Sequence, residues 1–353
     1  MIKERVVVAM SGGVDSSVAA ALLSRRGYEV IGITMCFNLA SRQSKKPSCC
    51  GLEGIEDARA VARKLGIRHY VLNMGRAFKK YVVDDFCRQY SLGRTPNPCV
   101  ICNQRIKFGA LLKHALSLKA RHLATGHYAQ ITCRAGKYFL KKAKDKTKDQ
   151  SYFLYRLGST QLKRLLFPLG GYTKKEVRAM AIKFGLPTAQ KKESQEICFA
   201  PQDYPVFLRQ YLADIRPGEI IDKLGNVLGR HKGVACYTYG QRQGLGVAKG
   251  YPLYISEINA HNNRLTVGPR AEAMKKTFLL KNPHFITGRP KKKVAVLAKI
   301  RYNHEESLAY IKPFAKLFEV TFNRPQFAIT PGQSAVFYDG DKVAGGGIID
   351  KVL

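Results

Sequence analysis

Apolar residues along the chain alternate between two spacings, and each switch marks an element. Arg5 to Ala9 is a β-branched run that stops at Ser11-Gly12-Gly13, and Val14 to Leu23 then carries apolar residues at helical spacing up to Gly27. The pattern predicts a strand, a glycine turn and a helix. Glu29 to Phe37 reads as a second buried strand. Ile55, Ala58, Val61, Ala62 and Leu65 share one helical face before a strand at Arg68 to Asn73. A helix from about Phe78 to Tyr90, a Pro-rich loop from Arg94 to Asn103, a helix running to about Leu118 and a strand at Arg121 to Thr125 follow, with helical pattern again at Ser151–Leu166 and Thr173–Phe184. Strands alternating with helices imply an α/β fold whose parallel sheet is covered on both faces, with its site at the carboxyl ends of the strands.

After about Arg216 the pattern changes. Gly and Pro become frequent, helix signals fade, and Gly218–Ile221, Arg264–Val267 and Lys293–Ile300 read as strands of small β units. Boundaries near 205 and 275 divide the chain into segments 1–205, 206–274 and 275–353.

Composition narrows the function. The 353 residues carry 60 Lys plus Arg against 25 Asp plus Glu, a formal net charge of +35. A polyanionic partner that releases counterions on binding favours such an excess, so nucleic acid is the first candidate. Arg134 to Lys148, with a single acid at Asp145, and Arg289 to Lys293 are the densest basic stretches, each either a solvated face or a phosphate contact. No window approaches the ~18 apolar residues of a membrane span, and Met1 to Arg5 leads straight into a strand, so we expect a cytoplasmic protein with no membrane partner. There the nine cysteines are not a disulfide scaffold. Cys36, Cys87, Cys133 and Cys236 stand singly and read as small buried hydrophobes.

Two features carry chemistry. Ser11-Gly12-Gly13-Val14-Asp15-Ser16-Ser17 joins a buried strand to a helix, where exposed amides and the helix dipole favour phosphate. It lacks the Lys of a Walker loop and the spacing of the dinucleotide fingerprint. The second feature is Cys99-Val100-Ile101-Cys102 in the Pro-stiffened loop before a helix, where a thiolate would be stabilised, with Cys198 much later in the chain. Four-ligand zinc lacks a second suitable pair, since adjacent Cys49-Cys50 would coordinate one ion poorly. A nucleophile with a persulfide carrier, a [4Fe-4S] cluster with an open iron, and inert buried thiols all remain open.

The Ser-Gly-Gly-x-Asp-Ser string resembles the PP-loop of ATP pyrophosphatases. Taken with Gly93-Arg94-Thr95-Pro96-Asn97-Pro98, Cys102-Asn103, Ala124-Thr125-Gly126-His127-Tyr128, Lys148 to Leu154, Tyr239 to Gly246 and Pro331 to Val336, the chain resembles the tRNA-specific 2-thiouridylases over essentially its whole length. The resemblance implies a PP-loop ATP pyrophosphatase domain (adenine nucleotide alpha hydrolase-like) over 1–205, a small central mostly-β, tRNA-binding domain over 206–274, and a C-terminal β-barrel-like domain over 275–353. It implies adenylation of the C2 oxygen of the wobble uridine in tRNAs for Lys, Glu and Gln, with ATP and Mg2+, followed by replacement with sulfur from a sulfur-relay protein or cysteine desulfurase.

By the same resemblance Cys102 is the nucleophile and Cys198 the persulfide-bearing residue. Ala9, Met10, Ser11, Gly12, Gly13, Val14, Asp15, Ser16, Met35 and Gly126 bind ATP. Asn97, Pro98, His127, Lys148, Asp149, Gln150, Arg301, Tyr302 and Gln333 touch tRNA. Many family members carry Asp where this chain has Cys99, and a thiol cannot take over a carboxylate's acid–base role. The Cys99 form resembles the iron–sulfur-dependent branch, which sets a [4Fe-4S] cluster at Cys99, Cys102 and Cys198 ahead of the persulfide route. We expect a monomer. The alternatives are another PP-loop tRNA thiolase of the 2-thiocytidine type, a lysidine synthase, for which the thiols are superfluous, and a non-catalytic tRNA-binding protein.

Overall fold

In the computed structural model, which describes residues 3–37, 52–192, 198–200 and 204–353, the chain divides into two units. The first comprises 1–82, 99–201 and 341–343, and the second 83–98, 202–340 and 344–353. Cys49 and Cys50 lie outside the described residues.

The first unit is built on a five-stranded sheet of order β3-β2-β1-β4-β7, in which every pairing is parallel. Its strands are β1 (Arg5–Ala9), β2 (Glu29–Cys36), β3 (Arg68–Asn73), β4 (His122–Ala124) and β7 (Leu165–Leu166). Val6, Val7 and Val8 of β1 are fully buried, as a strand covered on both faces requires. Helices α1 (Val14–Arg25) and α2 (Leu52–Leu65) supply Val18, Leu23, Ala58 and Val61 to the core that includes Val6 and Val8. From β1 the strand order runs one way through β2 to β3 and the other way through β4 to β7. The crevice at the carboxyl ends of β1 and β4 is therefore a topological switch point, where open α/β sheets bind ligands.

Three expected elements differ. The stretch Ser151–Leu166 is not one helix: a 3-10 turn (Ser151–Leu154) and α7 (Ser159–Leu162) precede β7, whose Leu165 and Leu166 pair with Leu123 and Ala124. Sheet pairing overrides the helical pattern there. The expected helix from Phe78 to Tyr90 is composite, with α3 (Gly75–Phe78), a π-helical segment (Lys79–Val83) and α4 (Asp84–Ser91). The Pro-rich loop stops earlier than Asn103, because α5 (Pro98–Ile101) starts on Pro98, a residue well suited to a first helical position. A ten-residue π-helix (Cys102–Leu111) and α6 (Leu112–Ser117) follow. Also in the first unit, β5 (Gln130–Arg134) and β6 (Lys137–Lys141) form a hairpin, and α8 (Lys174–Lys183) opens on a Thr173–Glu176 capping box. Cys133 sits exposed on β5, against the expectation of a buried hydrophobe, because β5 is the edge strand of its sheet. Cys87 is buried, and Cys36 and Cys236 are half-buried.

The second unit contains α9 (Tyr204–Tyr211) and a four-stranded sheet of order β10-β11-β8-β9, drawn from β8 (Gly218–Ile221), β9 (Val227–His231), β10 (Tyr254–Asn259) and β11 (Arg264–Gly268). Ile220, Ile255, Leu265 and Val267 are its fully buried centre. Beyond it, β12 (Met274–Phe285), β13 (Val294–Lys299), β14 (Ser307–Phe314), β15 (Leu317–Phe327), β16 (Ser334–Asp339) and β17 (Lys342–Val352) run in the order β12-β15-β14-β13-β16-β17. Pairing of β12 with β17 closes these six strands into a barrel around Phe278, Phe318, Phe322 and Phe337. Among the described residues no helix is long and apolar enough to cross a membrane.

Candidate functional site

The phosphate loop leaves β1 at Met10, whose amide donates to Ile33 O at 2.9 Å. The Thr34 hydroxyl donates back to Met10 O at 2.8 Å, locking the loop to β2. Gly12 has φ +74°, and a Cβ there would run into the Gly54 carbonyl, so only glycine fits. Gly13 caps α1 without a side chain. Inside the turn, the Ser16 and Ser17 hydroxyls both donate to Gly13 O, at 3.0 and 2.9 Å, and the Ser11 amide donates to Ser16 Oγ at 3.1 Å. Across the crevice Gly126, just past β4, presses so close that a Cβ would lie 2.8 Å from both Asp15 C and Ser16 N. Ala9 to Ser16 and Gly126 therefore meet around the start of α1. Met35, half-buried, lies one position from the end of neighbouring β2.

Asp15, in the first turn of α1, is the most heavily supported side chain here. Lys174 Nζ lies 2.7 Å from its Oδ1 and 2.8 Å from its Oδ2, and the Tyr128 hydroxyl donates to Oδ1 at 2.8 Å. Lys174 is buried although it occupies the first position of α8, where the helix dipole disfavours a cation. That conflict, together with the Thr173-x-x-Glu176 box, was the available signal for a residue that sequence reasoning missed.

The three thiols belong to the first unit. Cys99 and Cys198 are exposed, and Cys102, at the first position of the π-helix, is buried. The lowered thiol pKa expected at Cys99 is reversed. Solvent reaches the residue, but the surrounding protein desolvates its thiol and pushes it up to about 11, with Cys198 adding to the rise and Lys107 opposing it. That mutual effect places Cys198 within electrostatic range of Cys99. Roughly one Cys99 in a thousand is then thiolate at pH 8. Iodoacetamide labelling of Cys99, followed by peptide mass spectrometry, should be slow at pH 8 and climb toward pH 11. A midpoint near the usual ~8.5 would contradict this environment. Among the described residues no three His, Cys, Asp or Glu side chains gather in a way that could hold a metal ion. As placed, Cys99, Cys102 and Cys198 do not fit a [4Fe-4S] cluster.

Several candidate tRNA contacts have internal duties. In the first unit, Asp149 is buried, accepting from Ala143 N (2.9 Å), Ser151 N (3.2 Å) and Ser151 Oγ (2.7 Å). Gln150 exchanges bonds with Tyr128, its Oε1 taking Tyr128 N at 3.1 Å and its backbone N–H giving to Tyr128 O at 2.8 Å. His127 Nδ1 lies 2.7 Å from Thr125 Oγ1, and its ring packs against Phe108 and Phe167. Burial, and then the charge of Lys107, hold that imidazole well below its usual range, so it is neutral at pH 7. Lys148 is half-buried. In the second unit, Gln333 Nε2 donates to Thr95 O at 3.2 Å and Pro96 O at 3.1 Å, which fixes the turn leading to Asn97 and Pro98. Arg301 Nη2 donates to Ala328 O at 2.5 Å and Thr330 Oγ1 at 2.8 Å, so the charge expected to meet phosphate also clamps the barrel's own chain. Tyr302 is half-buried beside it in sequence.

A phosphate loop at the switch point of a parallel sheet, followed by two β units, defines a nucleotide-binding enzyme of the adenine nucleotide alpha hydrolase class. Residues 4–202 match the family described as a tRNA methyl transferase HUP domain, 206–269 its PRC-barrel domain, and 275–349 an aminomethyltransferase beta-barrel domain. A tRNA-specific 2-thiouridylase of Caldanaerobacter subterraneus subsp. tengcongensis is 51% identical over 360 residues, covering 99% of each chain. Another, of Halothermothrix orenii, is 49% identical over 357 residues with the same coverage. The chain belongs to the tRNA-specific 2-thiouridylase family, a family of sulfurtransferases. Among solved structures, a 4-thiouridine synthetase–RNA complex with bound ATP overlaps at a TM-score of 0.36 and 19% identity, covering 60% of this chain and 51% of that one.

Proposed function

We propose that the protein is an ATP-dependent tRNA-uridine 2-sulfurtransferase acting on the wobble uridine, position 34, of tRNAs for Lys, Glu and Gln. The observation that carries this reading is the intact phosphate loop at the switch point, closed by Gly126 against α1, in a chain of this family. Segments 1–205, 206–274 and 275–353 serve as the ATP-binding catalytic domain, the tRNA-binding domain and the barrel. Ala9 to Ser16, Met35 and Gly126 hold ATP, with the start of α1 facing its phosphates. Asp15 is the carboxylate suited to a phosphate-bound Mg2+, which typically needs only one or two protein carboxylates. When bound, that ion would offset phosphate charge.

The uridine C2 oxygen attacks the α-phosphorus and pyrophosphate leaves. Sulfur then attacks C2, and AMP departs with the former carbonyl oxygen. We assign the sulfur to a persulfide on Cys198, with Cys102 as the attacking thiol and an external thiol as reductant for the disulfide that results. The exposure of Cys198 suits loading by a cysteine desulfurase or relay protein. Asn97, Pro98, His127, Lys148, Asp149, Gln150, Arg301, Tyr302 and Gln333 are assigned to tRNA. Neutral His127 would act by stacking or hydrogen bonding and not as a phosphate cation. We place the protein in the cytoplasm as a monomer.

Nucleoside mass spectrometry tests this directly. Unmodified tRNA incubated anaerobically with protein, ATP, cysteine, a cysteine desulfurase as persulfide source and a thiol reductant should gain 2-thiouridine, with or without added iron. A product thiolated on cytidine, or none, would sink the uridine assignment. A strict iron requirement with a visible chromophore would overturn the thiol route in favour of the cluster.

A further inference from the structure

Two separate hydrogen-bonded paths run from the basic segment 144–150 to the carboxylate of Asp15. The first begins at Asp145, whose Oδ2 accepts the Lys174 amide at 2.9 Å, and the Lys174 ammonium grips both Asp15 oxygens. The second begins at Gln150, locked to the Tyr128 backbone by the reciprocal pair of bonds, and the Tyr128 hydroxyl ends on Asp15 Oδ1 at 2.8 Å. Lys174 and Tyr128 are both buried, and the ammonium stands 5.7 Å over the Tyr128 ring, so the paths meet in one packed cluster. Neither residue is needed to build the phosphate turn, which Ser11, Gly13, Ser16 and Ser17 close among themselves.

We propose that Lys174 and Tyr128 are positioning residues through which tRNA on segment 144–150 sets the Asp15 carboxylate for ATP. This rests on the reading above, in which the segment meets tRNA and the loop meets ATP. The segment has a contact that an incoming phosphate can exchange: Lys144 pairs with Glu176 at 3.0 Å on the surface, where ion pairs are weak. A tRNA phosphate that takes Lys144, or exposed Lys146, shifts the turn carrying Asp145 and Gln150. Both paths convey that shift to the same acid. ATP and tRNA thereby favour one arrangement of the cluster, and each raises the affinity of the other by the same factor, as linkage requires. Chemically, this keeps Asp15 from being fully placed for a triphosphate until an acceptor oxygen is present.

The test is calorimetric binding of α,β-methylene-ATP to the full chain, with and without unmodified tRNA, and of tRNA with and without the analogue. The wild-type protein should show a reciprocal factor of about 5 to 150. Tyr128→Phe keeps the buried ring and removes only the hydroxyl, and it should bring the factor toward one. Asp145→Ala should do the same while leaving tRNA-free affinity for the analogue near that of the wild type. Thermal melting checks that each variant is folded, and should Asp145→Ala fail to fold, Tyr128→Phe decides alone. Wild-type protein that binds both ligands with no coupling, or a Tyr128→Phe protein with the full wild-type factor, overturns the proposal while sparing the functional reading. Failure of the wild type to bind ATP or tRNA overturns both.

Discussion

Replacing Cys102 by serine should lower 2-thiouridine formation at least ~1,000-fold, about 4 kcal/mol of transition-state stabilisation, while leaving tRNA-dependent pyrophosphate release within a few-fold of the wild type. The reasoning separates the two halves of the reaction. In the proposed reaction, adenylation uses the phosphate loop at the carboxyl end of β1, which is built from backbone amides, serines and Asp15. Sulfur transfer needs a thiol, because serine neither ionises near neutral pH nor exchanges with a persulfide. Cys102 is buried at the first position of its π-helix, so serine also fills nearly the same space and the fold should survive. Radiolabelled pyrophosphate release and nucleoside mass spectrometry on one sample make the comparison. Parallel loss of both activities would place Cys102 in the ATP step or in the fold, and undiminished thiolation would remove it from the chemistry altogether.

Alanine at Gly126 should weaken ATP binding at least tenfold, or about 1.4 kcal/mol, and lower the melting temperature. The added Cβ would stand 2.8 Å from Asp15 C and Ser16 N and 3.0 Å from Asp15 Cβ. Two of those atoms are backbone at the first turn of α1, so no flexible side-chain end can swing aside. Overpacking of this kind costs about 1–3 kcal/mol, and here relief means pushing β4's following loop away from the amides that face phosphate. Calorimetry with ATP and a thermal melt report the two effects. Wild-type affinity in Gly126→Ala would show that the crevice opens without consequence for the nucleotide, and the ATP-binding assignment of Gly126 would fall.

The phosphate loop was readable from sequence because its constraints are local. A β-branched run, two glycines and a helical period specify strand, turn and helix within twenty residues, and the positive φ of Gly12 needs no distant partner. Strand β7 was not readable. Leu165-Leu166 is two residues long, and only the waiting edge of Leu123-Ala124 makes it a strand. Charge was the least reliable guide at the level of single residues. Arg301 and Asp149 carry opposite signs, yet both turn inward to satisfy buried backbone or hydroxyl groups. Lys174 acquired its role only when the fold placed it against an acid far away in sequence. The packing that desolvates Cys99 is equally non-local, and with Cys198 adding to it, it reversed the expected direction of the Cys99 pKa.

Closure of the barrel by β12 against β17, with Phe278 opposite Val352 and Leu280 opposite Ile349, bears on how the chain is made. The four strands between them can assemble as they emerge from the ribosome, but the seam joins the earliest strand of the barrel to the latest. Until Lys342–Val352 has been delivered, β12 is left with one unsatisfied edge, and unpaired edges recruit other chains. Fully buried Phe278 and Leu280 would be open to the same nascent intermediate. The interval before that strand is delivered is therefore the one in which this part of the molecule is most liable to aggregate, and a ribosome stalled before Lys342 would hold it there.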